Sequence, residues 1–523
     1  MPTADSRQPT TTPSSLPARK EDVVAPGAVA AVVRQTFVPP VPMQPHGPPQ
    51  RDARHYRRRI AWLTILSAAL AGVVWVSMTD PFGWGHTVEF GWRGLLVYAS
   101  TVALLLFLCV LLVRYFGVLV LSYVYNAKYT AQEASYVREE AYVREGSSGD
   151  DVEADPQAPA RAFLPPVSII VPAYNEDVLI ERTILSLIEQ GYPRFEVIVV
   201  DDGSRDGTNA LAEQRVGVYE NSHGGRAEVR LVTKPNGGKA TALNAGIAVS
   251  QHDFVLCVDG DSQLSPETLR RAIRHLRDPE IGAVAGNVKV KNRDTLWTKL
   301  QALEYIEGLN MVRAAQSAVR LVNIIPGPVG LFRKAAIIEA GWYASDTFAE
   351  DCDITLQILR AGWRVVYEPG AVSWTEAPNR LTDLLKQRYR WTRGILQAIR
   401  KHRDLVFNPT VNFGGTLVLW SMAFESLIWP AMNVFAHLFF VAAAVVGYSQ
   451  YLVFWWLSLT ILDLAAALYC VATEREDLRL VPLTVIYRLF FVLTIDVCKC
   501  AATVEELLGF GMGWGKLKRI GTA

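Results

Sequence analysis

Val167-Ser-Ile-Ile-Val-Pro-Ala-Tyr-Asn-Glu176 decides the fold. A short apolar run rich in β-branched residues ends in a polar turn carrying a carboxylate. The same wording returns at Glu196-Val-Ile-Val-Val-Asp-Asp-Gly-Ser204 and at Phe254-Val-Leu-Cys-Val-Asp-Gly-Asp261. Continuous apolar runs of this length read as strands buried on both faces, which belong to parallel sheets covered by helices. Glu228–Val232 and Ala283–Val290 read as two further strands. Glu181–Glu189, Gly207–Tyr219, Ala240–Ser250 and Pro266–Leu276 read as the helices between them. From Pro165 to about Asn408 the alternation predicts an α/β domain with a mostly parallel sheet and helices on both faces.

Outside this stretch the composition changes. The chain has 523 residues, 50% of them hydrophobic, with 52 Lys+Arg against 51 Asp+Glu. A positive mean hydropathy of +0.16 is unusual for a soluble protein of this length and calls for membrane segments. The near-zero net charge argues against a nucleic-acid partner. Six cysteines make no disulfide framework, and no Cys/His spacing resembles a zinc site.

Residues 1–50 hold eleven of the 28 prolines and read as a disordered tail. No signal peptide is visible. Residues 51–124 read as a basic flank (Arg51 to Arg59) and two spans, Ile60–Met78 and Leu95–Val124, the second interrupted by Arg114. The basic flank predicts a cytoplasmic N-terminus, which places the α/β domain in the cytoplasm. Residues 125–164 read as an acidic linker, 165–380 as the α/β domain, and 381–412 as amphipathic helices at the membrane surface. Residues 413–510 read as three to four spans. The run from Gly414 to Tyr448 is about 35 residues, ~50 Å if helical, which is longer than one span needs. Pro430 is placed to break it, and an even span count favours the split. Residues 511–523 form a basic, cytoplasmic C-terminus.

Four acidic turns carry the candidate chemistry. Glu176, Asp201-Asp202 and Asp259-Gly-Asp261 follow predicted strands at the sheet edge where open α/β folds bind ligands. Glu350-Asp351 opens a fourth turn, before the helical stretch Ile354–Leu359. Asp259 and Asp261, one residue apart, can point two carboxylates at one cation that would neutralise a diphosphate. Asp201-Asp202 read equally as an Asx-turn into a helix N-cap. Asp351 reads either as an N-cap or as a general base whose pKa its neighbours set. Lys239, before a helix, suits an anion or is a solvated surface lysine. Gln387-Arg388-Tyr389-Arg390-Trp391 supplies guanidinium forks for phosphate and an indole plate for a sugar ring, on a helix that also reads as membrane-interfacial. Neither a Walker A loop nor G-x-G-x-x-G is present.

In this order, and between membrane spans, Asp-Asp-Gly-Ser, Asp-Gly-Asp, Glu-Asp and Gln-Arg-Tyr-Arg-Trp resemble the processive family 2 glycosyltransferases, the cellulose, chitin, hyaluronan and poly-N-acetylglucosamine synthases. The resemblance covers about residues 165–410 and, more loosely, the spans and Trp514–Arg519. It implies an α/β GT-A (Rossmann-like) domain inserted between α-helical transmembrane segments, a UDP-sugar donor and Mg²⁺ or Mn²⁺. By position, Ala173, Tyr174, Glu176, Asp201 and Asp202 would hold the uridine end, with Lys239 nearby. Asp259 would sit by the diphosphate and share the metal with Asp261. Asp351, beside Glu350, would be the base. Arg390 would hold the diphosphate and Trp391 would stack on the acceptor, with Gln387 and Arg388 in the same motif. Ala349 stands where Thr is common, and Gly260 where another small residue is frequent.

The implied protein is a multi-pass inner-membrane enzyme whose partners are the donor, the growing polysaccharide, the bilayer and accessory export subunits. The Gly327–Arg333 and Gln387–Gly394 wording leans to UDP-N-acetylglucosamine and a poly-β-1,6-linked product. Cellulose-, chitin- or hyaluronan-type synthesis and a non-processive enzyme acting on a lipid acceptor are the alternatives. A transporter with a cytosolic domain is a further rival, to which Arg488, Asp496 and Lys499 are relevant.

Overall fold

The computed structural model describes residues 92–144, 163–408, 412–446 and 449–510. The Pro-rich tail, the Arg51–Arg59 flank, the Ile60–Met78 span and the 511–523 end lie outside them.

The α/β domain is built on nine strands: β1 (Val167–Ala173), β2 (Arg194–Asp201), β3 (Gly217–Glu220), β4 (Arg226–Thr233), β5 (Phe254–Cys257), β6 (Gln263–Leu264), β7 (Ile281–Val290), β8 (Gly330–Arg333) and β9 (Arg364–Thr375). Their order across one sheet is β3-β4-β2-β1-β5-β8-β7-β9-β6. The expected parallel core is present: β1 pairs in parallel with β2 and β5, and β2 with β4. Every residue of β1 and β5 is buried, as their unbroken apolar runs require.

The sheet as a whole is mixed rather than mostly parallel. The short β8 slots antiparallel between β5 and β7, with Leu331 opposite both Leu256 and Val284. β3 and β6 are antiparallel edge strands. Gly207–Tyr219, expected as one helix, is a six-residue helix (Thr208–Glu213) followed by β3. Helices Ile180–Ile188 and Lys239–Val249 form as expected and bury Ile184, Leu187, Leu243 and Ile247. At about 1.5–3 kcal/mol per fully buried aliphatic side chain, these contacts hold the strand ends in place.

A 53-residue helix, Trp92–Arg144, contains the expected Leu95–Val124 span and runs on through residues 125–144, which were expected to be linker. Alanine, glutamate and arginine there favour helix, and its side chains dock on the α/β domain. Tyr129 donates to Glu368 at 2.7 Å, and Glu133 pairs with Arg271 and Arg274 at 2.7 Å each.

Pro430 does not split the C-terminal run. Phe413–Ala423, a π-helical turn Phe424–Ile428 and Trp429–Val446 follow one another without a break in helical backbone. A π-turn just before a proline absorbs the lost hydrogen bond. Among the described residues, three helices are long and apolar enough to cross a membrane: Cys109–Ala134, Phe413–Phe439 and Leu478–Leu507. Arg114, which interrupts the first, pairs with Glu425 of the second at 2.6 Å. Arg488 pairs with Asp463 at 3.2 Å, and Asp496 accepts from the Asn433 amide at 2.7 Å, so these ionisable groups have polar partners within the helical region.

Candidate active site

Sheet register brings the first three acidic turns to one edge. Ala173 lies opposite Asp201 across β1 and β2, and Val258 donates to Ile170 as β5 ends beside β1. The turns are stitched together. Asn175 N donates to Ser204 Oγ at 3.0 Å, Glu176 N to Thr208 Oγ1 at 2.7 Å, and Thr183 Oγ1 to Gly260 O at 3.0 Å. A β-carbon on Gly260 would lie 3.0 Å from Pro172 O, so the middle position of Asp-Gly-Asp is small because β1's turn presses on it.

Lys239 closes the site. Its Nζ lies 2.7 Å from Asp259 Oδ1 and 2.7 Å from Glu350 Oε1. One ammonium therefore bridges the acid turn after β5 and the first turn of helix Glu350–Arg360. Around it, Gly327, Tyr343 and Asp351 enclose a space of ≈ 10 Å³, room for about one water molecule.

The electrostatics follow from burial and crowding. Burial opposes the Lys239 charge, but Asp259, Glu350 and Asp351 outweigh it and hold the ammonium well above the usual lysine range. Burial raises Asp259, the charge of Asp261 adds to this, and Lys239 offsets only part. Glu350 is lowered despite its burial, because Lys239 pairs with it and Arg390 stands near. Burial and the neighbouring Glu350 charge push Asp351 up to about 6, the range suited to a base at neutral pH.

Helix Leu381–Lys401 carries the Gln-Arg-Tyr-Arg-Trp segment to this site. A β-carbon on Gly394 would lie 2.6 Å from Ala349 N, so the helix backbone packs directly on the turn leading into Glu350-Asp351. Buried Asp353 ties the two helices again, accepting from Lys401 at 2.8 Å and bonding His402 at 2.9 Å.

Three expected residues take other partners. The Asp201 carboxylate accepts from Ser204 N at 3.1 Å and Asn209 Nδ2 at 2.9 Å. Asp202 accepts from Lys234 and from the backbone N–H groups of Gly237 at 3.0 Å and Gly238 at 2.7 Å. Both acids therefore fold their own loops, and Asp202 shapes the Gly237–Gly238 turn that launches Lys239. Arg388, expected among the substrate-holding residues, is turned into the protein onto Glu304. Tyr174 is partly exposed beside the site, and Ala173 is buried at the end of β1.

Among the described residues no group of three or more His, Cys, Asp or Glu side chains could hold a metal by itself. The donor chemistry of Asp259 and Asp261 nonetheless fits a hard divalent cation. All the donors are carboxylate oxygens; three acids, Asp259, Glu350 and Asp351, surround the ammonium of Lys239, and Asp261 adds its charge to Asp259.

The fold is that of a GT-A-like glycosyltransferase domain. Residues 165–394 match the family described as "Glycosyltransferase like family 2", and this region is a glycosyltransferase family 2 domain. Over 229 residues the chain is 32% identical to poly-beta-1,6-N-acetyl-D-glucosamine synthase of Staphylococcus aureus (strain COL), which covers 44% of this chain and 54% of that protein. The Staphylococcus epidermidis protein of the same name is 29% identical over 263 residues, 50% of this chain and 61% of the other. The similarity thus spans little more than half the length of these relatives. Among solved structures, the mannosyltransferase PcManGT from Pyrobaculum calidifontis, in complex with GDP-Man and Mn2+, is 25% identical with a TM-score of 0.48, covering 75% of this chain and 99% of its own.

Proposed function

We propose that this protein is a membrane-embedded, processive, inverting β-glycosyltransferase that polymerises the sugar of a UDP-sugar. The observation that carries the reading is the Lys239 bridge, which joins the strand-end acid Asp259 to Glu350 beside the raised carboxyl of Asp351. UDP-N-acetylglucosamine is the favoured donor and a poly-β-1,6-linked chain the favoured product, supported by the names of the relatives.

In this reading Asp351 takes the proton of the acceptor hydroxyl as it attacks the anomeric carbon. Lys239 and Arg390 offer positive charge to the departing nucleoside diphosphate. Trp391 carries the acceptor ring on its indole, and Tyr174 and Glu176 line the nucleoside side, on loops held by Asp201 and Asp202. Asp259 and Asp261 would hold Mg²⁺ or Mn²⁺, which when bound supplies Lewis-acid charge to the diphosphate. A single displacement turns an α-linked donor into a β-linked product. The domain faces the cytoplasm of the inner membrane, and the polymer leaves between the spans, with accessory subunits as export partners, because lipid alone excludes a hydrophilic chain.

Purified protein in lipid, offered a panel of UDP-sugars with Mg²⁺ or Mn²⁺, tests this. The expected result is UDP release with a long product cut by a β-1,6-N-acetylglucosaminidase. A single-sugar adduct on lipid would replace the processive reading with the lipid-acceptor one, and no sugar transfer from any donor would overturn both.

A further inference from the structure

The segment that follows helix Leu296–Leu303 is wound as a π-helix, Glu304–Asn310, before α-helical geometry resumes at Met311. Single π-turns are uncommon and concentrate where a helix must aim a side chain. Here the turn presents Glu304 to the buried guanidinium of Arg388. Arg388 Nη2 lies 2.5 Å from Glu304 Oε2 and Nε 3.2 Å from Oε1, a two-point fork. Its remaining terminal nitrogen, Nη1, donates to Gln387 Oε1 at 2.7 Å. Its central carbon lies 4.2 Å from the centroid of the Trp391 ring, within cation–π range.

This geometry has two consequences. Arg388 covers one face of the partly buried indole, so a sugar can stack only on the ring surface that this cation and the core leave exposed. Arginine only donates, so Gln387 must turn its carbonyl oxygen to Arg388 and its NH2 group away. A hydrogen-bond donor and an aromatic face are therefore oriented by one buried cation, and that cation is held by one carboxylate. Without Glu304, the Arg388 charge would sit buried and uncompensated and would leave the ring to find water. The same π-turn carries Glu307, which accepts from Tyr115 of the Trp92–Arg144 helix at 2.9 Å, so the turn is itself fastened to a membrane helix.

We propose that Glu304 is a positioning residue for the acceptor saccharide, setting the Trp391 plate and the Gln387 amide through Arg388. The assignment rests on the acceptor role given above to Trp391.

The test uses the full chain in lipid nanodiscs, labelled with 5-fluorotryptophan, with the Trp391 ¹⁹F resonance assigned by its loss in Trp391→Phe. In Glu304→Gln, which keeps shape but removes charge, the Trp391 resonance shifts while the others stay. The KM for an added N-acetylglucosamine oligosaccharide rises about tenfold, and the donor KM stays within about twofold. Glu304→Asp, which keeps the charge, recovers part of both effects. Should Glu304→Gln not fold, Arg388→Lys, which keeps charge but loses the planar fork, is expected to give the same acceptor-selective loss. An unmoved Trp391 resonance with unchanged acceptor KM would overturn the proposal. So would a general collapse of all resonances with donor and acceptor parameters falling together in both the Glu304→Asp and Arg388→Lys proteins. If the wild-type protein transfers no sugar, the functional reading fails, while the ¹⁹F result still decides whether Glu304 sets Trp391.

Discussion

Lys239 and Glu350 meet at 2.7 Å although each opens a different helix, Lys239–Val249 and Glu350–Arg360. The same ammonium reaches Asp259 at 2.7 Å, so a single cation links the two acidic turns that flank the candidate reaction centre. Removing it leaves Asp259, Glu350 and Asp351 with no cation bridging them, only Arg390 near Glu350.

Lys239→Met is therefore expected to lower turnover by about 10²–10³-fold, the range for losing one preorganised charge in a water-poor site. Lys239→Arg keeps the charge but not the compact head that fits between two carboxylates, and is expected to recover little. Steady-state UDP release from purified variants reads both.

The pH dependence follows from Asp351 and its neighbour. A base works only when unprotonated, so with its carboxyl pushed up to about 6, kcat/KM falls as pH drops through that value. The Glu350 charge is part of what raises Asp351. Glu350→Gln removes it, so the acid limb of the profile should move to lower pH, whatever happens to the maximum rate. A profile of the variant shifted upward would contradict the assignment.

Gly394→Ala places a methyl 2.6 Å from Ala349 N and forces the helix off the Glu350-Asp351 turn. Overpacking of this kind costs about 1–3 kcal/mol. A lower Tm and a loss of turnover of at least about tenfold are expected, because the shift moves the Gln387–Trp391 helix, with Arg390, away from the Glu350-Asp351 turn. Thermal unfolding in detergent alongside a turnover assay checks the two effects separately.

Trp391→Ala should raise acceptor KM roughly three- to tenfold, the equivalent of one lost ring stack, with donor KM nearly unchanged. The opposite pattern would put the indole on the donor side.

Much of this architecture is legible in the sequence because buried parallel strands have no polar face to disguise them. Val167–Val171, Glu196–Val200 and Phe254–Val258 announce both the sheet and the edge where the acids collect. Short antiparallel strands escape because two to four residues carry no period: β8 is Gly-Leu-Phe-Arg, and β6 only Gln263–Leu264. The spacing of Tyr219 suits either the preceding helix or a strand, and pairing with Ala227 on β4 decides for strand. Roles set by distant partners are not legible at all. The residue types of Asp201, Asp202 and Arg388 fit a ligand as well as they fit Ser204, Gly238 and Glu304, and only the fold chooses. The π-turns that absorb Pro430 and aim Glu304 leave no pattern that separates them from ordinary helix.

Asp351→Asn, measured for donor binding and for sugar transfer on the same preparation, tests whether this carboxyl is the base. The account predicts UDP-N-acetylglucosamine affinity within about threefold of wild type and transfer reduced by at least about 10³-fold, since binding geometry survives while the base is lost. Transfer at the wild-type rate would show that the carboxyl beside the Lys239 bridge is not the group that activates the acceptor.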